Sequence, residues 1–382
     1  MKALFYIFGV LCIHSYFLYP LILKLMPTRK IPGTNGNGST GSEFELPKLS
    51  LIITVHNEEA RIRGKLENTL NIEYPPDCLE VIIASDYSTD ATEEIVQTYA
   101  GKGMKLIRTD ARKGKEYAQQ CAIRASKGEI LVFTDVATKI PFDALRLLAA
   151  RFSDPQVGAL SSEDQFISND GSVVGEGLYV KYEMWLRRLE TDRAGLVGLS
   201  GSFFAARREV CEDWDIYCPS DFNTALNCAK NKLVAVTSSD VIGIYKDVDD
   251  SSLEYARKIR TVIRGITAIV RHPEVLNPFR LGVFAFQIWS HKIMRWGVPW
   301  FLLSFAFITL LLQDDGGVFR LALMAQLVFY GLAMVGWLSR RLRKIIFIKI
   351  IYFFVNTNIA LATASLLFLF GKRISVWSPS KR

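Results

Sequence analysis

The chain has 382 residues, half of them hydrophobic, and a formal net charge of +8. That length gives one large domain or two small ones, and the polar middle of the chain has no basic helix with interleaved aromatics that would make the charge a nucleic-acid surface. Six scattered cysteines without a Cys-x-x-Cys pair, and four dispersed histidines, give no zinc site, no His-rich metal pattern and no disulfide framework; the cysteines read as packing residues in a reducing cytoplasm.

Residues 4–26 form an apolar run interrupted only by His14 and Lys24. About 20 apolar residues suffice to cross a bilayer. The run is longer than a signal-peptide core and no small-x-small cleavage site follows it, so residues 1–27 read as a retained anchor. Lys24, Arg29 and Lys30 follow it, and such positive flanks mark the cytoplasmic side. Residues 28–47, with Pro-Gly-Thr-Asn-Gly-Asn-Gly-Ser-Thr-Gly-Ser, have no periodicity and read as a linker.

From residue 48 short strands alternate with helices. Leu49–Val55, Leu79–Ala84, Lys105–Arg108 and Ile130–Phe133 are apolar and mostly β-branched; Glu58–Leu70, Ala91–Ala100 and Lys115–Ser126 are helix-like. Continuous apolar strands between helices predict an α/β fold, a parallel sheet covered on both faces. Val157–Leu160 and Phe203–Ala206 read as further strands. Val173–Arg193, Ser220–Ala229 and the basic, amphipathic Ser252–Val270 read as helices. The soluble domain spans 48–275. Residues 276–295 mix Phe284, Phe286, Ile288 and Trp289 with Gln287, His291, Lys292 and Arg295, which predicts a helix lying in the membrane interface. Residues 296–371 are largely apolar and predict membrane-spanning helices, with Trp296 as an interfacial anchor. Arg340, Arg341, Arg343 and Lys344 mark a cytoplasmic loop, and residues 372–382 form a basic tail. One span before the domain and three after it would place that tail outside, unless residues 345–370 do not cross once.

Acidic and basic residues collect where the strands end, the crevice in which open α/β sheets bind ligands. His56-Asn57-Glu58-Glu59 follows the first strand: helix amides there can hold a nucleotide, or Asn57 can simply cap a helix. Asp86, after the second strand, is placed for a base or ribose, and Asp90 for a cap. Arg112-Lys113-Gly114-Lys115 can neutralise a diphosphate or form a solvated turn. Thr134-Asp135 closes the fourth strand. Asp135 is the metal candidate, because a hydrated divalent cation on a diphosphate needs few protein carboxylates. Asp221, at a helix start, can be a general base or a cap.

Taken in order, these elements resemble the membrane-bound family-2 glycosyltransferases, related to the cellulose, hyaluronan and poly-N-acetylglucosamine synthases. Asn57-Glu58-Glu59 matches the run after the first strand. Asp86, Ser88, Asp90 and Thr92 match an Asp-x-Ser-x-Asp-x-Thr element, Gly114-Lys115 a Gly-Lys, and Gly128–Asp135 a Gly-Glu-Ile-Leu-x-Phe-Thr-Asp run. Gly195–Glu209 resembles the acceptor-side loop and strand, and Ser220-Asp221 stands where many members have Glu-Asp. Two positions depart. Ala137 replaces the second acid of the metal motif, and Arg257-Lys258-Ile259-Arg260-Thr261 keeps the cations but not the Gln and Trp of the processive synthases' Gln-x-x-Arg-Trp.

The resemblance implies a GT-A, Rossmann-like nucleotide-diphospho-sugar domain with flanking transmembrane helices. It implies an inverting hexosyltransferase of the inner membrane, multi-pass, with a cytoplasmic catalytic domain, working in exopolysaccharide or cell-envelope glycan synthesis. Asp221 would be the base. His56, Asn57, Glu58, Asp86, Lys115, Thr134 and Asp135 would bind the nucleotide sugar, a UDP-sugar first. Gly201, Ser202, Arg257, Lys258 and Arg260 would form the acceptor and diphosphate side. Mg2+ or Mn2+ would sit on Asp135. The acceptor would be a saccharide or polyprenyl-linked, beside membrane lipid. The alternative is a non-catalytic, membrane-anchored nucleotide-sugar-binding or scaffold protein of a polysaccharide export complex. A transporter is disfavoured because the spans lack charged residues of the usual functional kind.

Overall fold

A computed structural model describes residues 1–29, 46–167, 178–246 and 251–374. Most of the 28–47 linker, the first residues of the helix expected over Val173–Arg193, and the tail beyond Ile374 lie outside them. The chain divides into two compact units. One is Met26–Asp249, Thr267–Ala285 and Ile374–Arg382; the other is Met1–Leu25, Asp250–Ile266 and Phe286–Arg373.

The chain opens with helix α1 (Lys2–Leu25). The sheet unit follows as β1 (Leu49–Val55), α2 (Glu59–Leu70), β2 (Leu79–Ser85), α3 (Thr92–Gln97), β3 (Met104–Arg108), α4 (Lys115–Ala125) and β4 (Ile130–Asp135). It continues through α5 (Ala144–Arg151), β5 (Val157–Ile167), α6 (Leu178–Thr191), β6 (Phe203–Arg207), α7 (Ser220–Lys230) and β7 (Val234–Lys246). Then come α8 (Ser251–Arg271), α9 (Pro278–Leu311), α10 (Gly317–Leu338) and α11 (Ile346–Leu369).

The strands form one sheet in the order β3-β2-β1-β4-β6-β5-β7. The first four are parallel, as their continuous apolar sequences predict. The sheet as a whole is mixed: β6 runs antiparallel to both β4 and β5, while β5 and β7 are parallel to each other. Every residue of β1 is buried, and strand alternation sends its side chains to two cores. Leu51 and Ile53 join Ile62 and Leu66 of α2, and Leu145 and Leu148 of α5, on one face. Ile52 joins Ala118 and Ala122 of α4 on the other, with Phe133 of β4 stacked between Phe204 and Trp214. Burying apolar area at roughly 25 cal/mol per Å2 on both faces holds the sheet rigid. That rigidity fixes where the strand ends point.

Among the described residues, α1, α9, α10 and α11 are the four helices long and apolar enough to cross a membrane. The segment expected as an interface helix is followed without a loop by apolar helix: α9 extends from Pro278 to Leu311 and is kinked at Gly282, whose angles are non-helical. Gln287, Ser290, His291 and Arg295 are buried polar residues of its first turns. Trp296 lies against Gly265 of α8, where an added Cβ would meet the indole at 2.8 Å.

Candidate active site

Parallel pairing aligns Thr54 of β1 with Asp135 of β4, and Val55 with Ser85 of β2. Three strands thus end together, and their following loops share one edge of the sheet. The loops after β1 and β2 are laced to each other. Asn57 Oδ1 accepts from Thr89 N at 2.8 Å, Glu58 N donates to Thr92 Oγ1 at 2.7 Å, and Glu59 N donates to Asp90 Oδ2 at 3.1 Å. Asn57 is therefore not the cap of α2; its side chain crosses to the neighbouring loop, with backbone φ at +53°. The buried Glu58 carboxylate accepts two hydrogen bonds from Arg61, at 2.7 and 2.8 Å. Burial nonetheless raises its pKa above the ordinary carboxylate value, against the opposing pull of Arg61.

Asp86 has no exposed surface. Its carboxylate accepts from Lys113 N at 3.0 Å and from Gly114 N at 3.0 and 3.1 Å, while its carbonyl lies 2.8 Å from His56 Nδ1. Asp86 thus shapes the basic turn. Gly114 can take that shape because its φ is +105°, where a side chain would be strained. Beside it, the Arg108 guanidinium lies 4.4 Å over the ring of Tyr87, which is 40% exposed.

The turn launches α4, whose first residue is Lys115. Its ammonium lies 2.5 Å from Asp135 Oδ1 and donates to Gly201 O at 2.8 Å. Asp135 N donates to Ser202 O at 3.0 Å, and Thr138 Oγ1 donates to the same oxygen at 3.2 Å. Gly201 lies directly on Asp221: an added Cβ would stand 3.3 Å from Asp221 Oδ2. Asp221 sits in the first turn of α7, whose N-cap is Pro219 and which has no side-chain cap bond. The helix dipole there favours its negative charge.

Among the residues expected from sequence, the fold therefore joins Thr134, Asp135, Lys115, Gly201, Ser202 and Asp221 through contacts and chain continuity. It sets His56, Asn57, Glu58 and Asp86 in loops on the same sheet edge. Arg257, Lys258 and Arg260 belong to the other unit, on α8; there Lys258 donates to Thr357 Oγ1 at 3.1 Å and lies 4.1 Å over the ring of Phe353. Asp135, 24% exposed and paired through Oδ1 with Lys115, is the carboxylate of this cluster that could hold a hydrated divalent cation. Ala137, two residues on, supplies no second one.

Two groups, the buried Lys65 and the half-buried Asp164, lie outside the set expected from sequence. Lys65 of α2 donates to Thr134 Oγ1 at 3.0 Å and to Thr138 O at 2.6 Å. Burial lowers its pKa to about 7, opposed by the nearby Asp135 charge. Asp164 of β5 accepts from Ser200 Oγ at 2.7 Å and Tyr245 OH at 3.1 Å, bracing the loop that carries Gly201 and Ser202. The helical spacing of α2 reads Lys65 as just another surface cation, and Asp164 lies inside a strand.

Residues 50–215 match the family model described as "Glycosyl transferase family 2". The chain is 28% identical over 183 residues to a probable glycosyltransferase, YdaM, of Bacillus subtilis, covering 45% of this chain and 44% of that protein. It is 27% identical over 179 residues to a beta-monoglucosyldiacylglycerol synthase of Nostoc sp., covering 44% and 38%. The chain thus spans less than half the length of these curated relatives. A mannosyltransferase from Pyrobaculum calidifontis, solved with GDP-Man and Mn2+, superposes with a TM-score of 0.71 over 97% of this chain and 99% of its own, at 22% identity. At that identity the likeness is one of fold, and the fold is GT-A.

Proposed function

Given that the chain carries a glycosyl transferase family 2 domain over residues 50–215, we propose that it is a membrane-bound inverting glycosyltransferase that moves a sugar from a nucleoside-diphosphate donor to a saccharide or lipid-linked hydroxyl. The observation that carries this reading is the Lys115 ammonium, held between Asp135 and the carbonyl of the residue lying on Asp221. One cation stands at the strand end where a diphosphate would lie, next to a carboxylate able to take a proton.

In the proposed reaction the Asp221 carboxylate accepts the proton of the acceptor hydroxyl. The freed oxygen attacks the anomeric carbon from the face opposite the diphosphate. The bond from that carbon to the diphosphate oxygen breaks, and its electron pair leaves with the nucleotide. Base catalysis of this kind contributes roughly 10²–10⁴-fold. Lys115 stabilises the charge that grows on the leaving group, in a site where it is already oriented. Mg2+ or Mn2+ on Asp135 would supply further charge neutralisation of the diphosphate. The rim of the laced loops, with Asn57 and Tyr87, would receive the nucleoside, a UDP-sugar first. The four apolar helices and the diacylglycerol-lipid relative support an acceptor presented at the membrane, and the positive flank Lys24, Arg29 and Lys30 after the first apolar segment favours the cytoplasmic side of the inner membrane for the sheet unit. The departure from Gln-x-x-Arg-Trp at Arg257–Thr261 favours short over processive transfer.

The full chain in detergent, screened with nucleotide sugars for nucleotide release with and without manganese, tests the reading. Asp221→Asn should abolish transfer while nucleotide binding survives; transfer at the wild-type rate would remove Asp221 from the base role. One specific observation favours a nucleotide-sugar-binding protein without turnover instead: Ala137 leaves Asp135 alone, and Lys115 already engages it. Donor binding without nucleotide release across the whole screen would select that reading.

A further inference from the structure

Asp215, Cys218 and His272 each place one ligand atom within 4.8 Å of the others. None belongs to the site described above. Cys218 is fully buried, and its Sγ is 3.4 Å from Asp215 Oδ2. His272 Nε2 is 3.3 Å from the same oxygen, yet it is buried and makes no hydrogen bond. The ring's other nitrogen, Nδ1, is 3.4 Å from Glu274 Oε1. A carboxylate on Nδ1 selects the tautomer whose Nε2 lone pair points inward, the arrangement that orients histidines on metals. Arg271 Nε lies 2.5 Å from Asp215 Oδ2, and Tyr217 N donates to Oδ1 at 2.9 Å, so the carboxylate is held in place from outside.

The separations suit a metal cradle as well as an ionic knot. Ligands about 2.1 Å (N, O) and 2.3 Å (S) from a tetrahedral zinc stand about 3.4 to 3.6 Å from one another. The separations of His272 Nε2 and Cys218 Sγ from Asp215 Oδ2, 3.3 and 3.4 Å, lie close to that range. Thiolate, imidazole and carboxylate together form a borderline-soft set suited to zinc rather than to Mg2+ or Ca2+.

We propose that Asp215, Cys218 and His272 bind a zinc ion, with Glu274 and Arg271 orienting the ligands. Three protein ligands leave one position for water. The expectation of no zinc site rested on paired cysteines; here one cysteine is joined to a histidine far along the chain. Cys218 is followed by Pro219 and the first turn of α7, and His272 follows the last residue of α8. The ion therefore ties the segment that launches Asp221 to the end of α8.

The test uses the full chain in detergent, stripped with a chelator and titrated with Co2+. A thiolate-to-cobalt charge-transfer band with intense tetrahedral d–d bands should rise to one equivalent and vanish on adding Zn2+. Cys218→Ser should remove the charge-transfer band, and His272→Gln should weaken affinity by about tenfold or more. Cys228→Ser and Asp135→Asn should leave both unchanged, which separates this site from the proposed donor site. A missing band at stoichiometric Co2+, or one that survives Cys218→Ser, overturns the proposal. If Cys218→Ser does not fold, wild-type Co2+ affinity in His272→Gln overturns it instead.

Discussion

Lys115 and Asp135 form a 2.5 Å ion pair in which the lysine is the more deeply buried partner, 7% against 24% exposed. The ammonium is also bound to Gly201 O. A phosphate oxygen arriving at Asp135 would meet a cation that needs no reorganisation. Lys115→Met keeps the stem and removes the charge. Turnover should fall about 10²–10³-fold, the usual cost of deleting one oriented charge-stabilising donor, with the fold intact by circular dichroism. Nucleotide release at the wild-type rate would make the pair purely structural.

Gly201 tests the proposed base through a single methyl. In Gly201→Ala the new Cβ would press on the Asp221 carboxylate at 3.3 Å, closer than most such contacts. The carboxylate must turn or the loop must shift. Transfer should fall by an order of magnitude or more, since small displacements of catalytic groups are expensive, while nucleotide affinity stays put. Gly64→Ala is the control: an added Cβ there has nothing within 4 Å, and its helical setting should gain about 0.5–1 kcal/mol of stability. Equal activity in the two variants would detach Asp221 from the chemistry.

Lys65 gives stability a pH dependence of calculable sign. Its pKa is about 7 in the fold against an ordinary 10.5, so between these values the unfolded chain binds more protons. Stability then rises with pH across that window, and the cost of burying the ammonium is felt in full below about pH 7. Lys65→Met removes this term but leaves Thr134 Oγ1 and Thr138 O short of a donor, at about 1–3 kcal/mol each if unsatisfied. Urea melts from pH 6.5 to 9.5 should therefore show a positive wild-type slope that the variant lacks. Parallel slopes would mean the ammonium finds solvation that its burial conceals.

Much of this arrangement was written locally, and the part that was not has a common cause. The strands β1 to β4 are legible because strands buried on both faces must be apolar throughout, and acids that end them are conspicuous. β7 was missed: Ser238, Ser239 and Asp240 interrupt it, and only pairing with β5 makes those residues strand. The same pairing carries β5 on from Leu160 to Ile167 through Ser161–Gln165. The parallel pairing expected for the first four strands holds, whereas the antiparallel β6 has an apolar sequence that says nothing of direction. α5 also escaped notice, being short. In the site, Lys65 and Asp164 are fixed by partners from elsewhere in the chain, Thr134 and Tyr245 among them. Periodicity within one helix or strand does not contain that information.

Asp86 is where position and environment pull the functional reading apart. Its place after β2 suits contact with a nucleoside, yet both carboxylate oxygens accept amides of the Lys113–Gly114 turn in full burial. In Asp86→Asn one oxygen remains to accept, while the new amide group points two N–H donors at backbone N–H donors. Losing a buried charge-assisted acceptor costs about 2–3 kcal/mol. The turn that launches Lys115 should loosen with it. Urea denaturation should thus show a stability loss of that size, and donor affinity should fall together with turnover because Lys115 is misplaced. A residue that only touches the nucleoside would behave differently: Asp86→Asn would keep wild-type stability and lose donor affinity alone. Measuring both quantities on one variant decides whether Asp86 reads the donor or builds the turn that does.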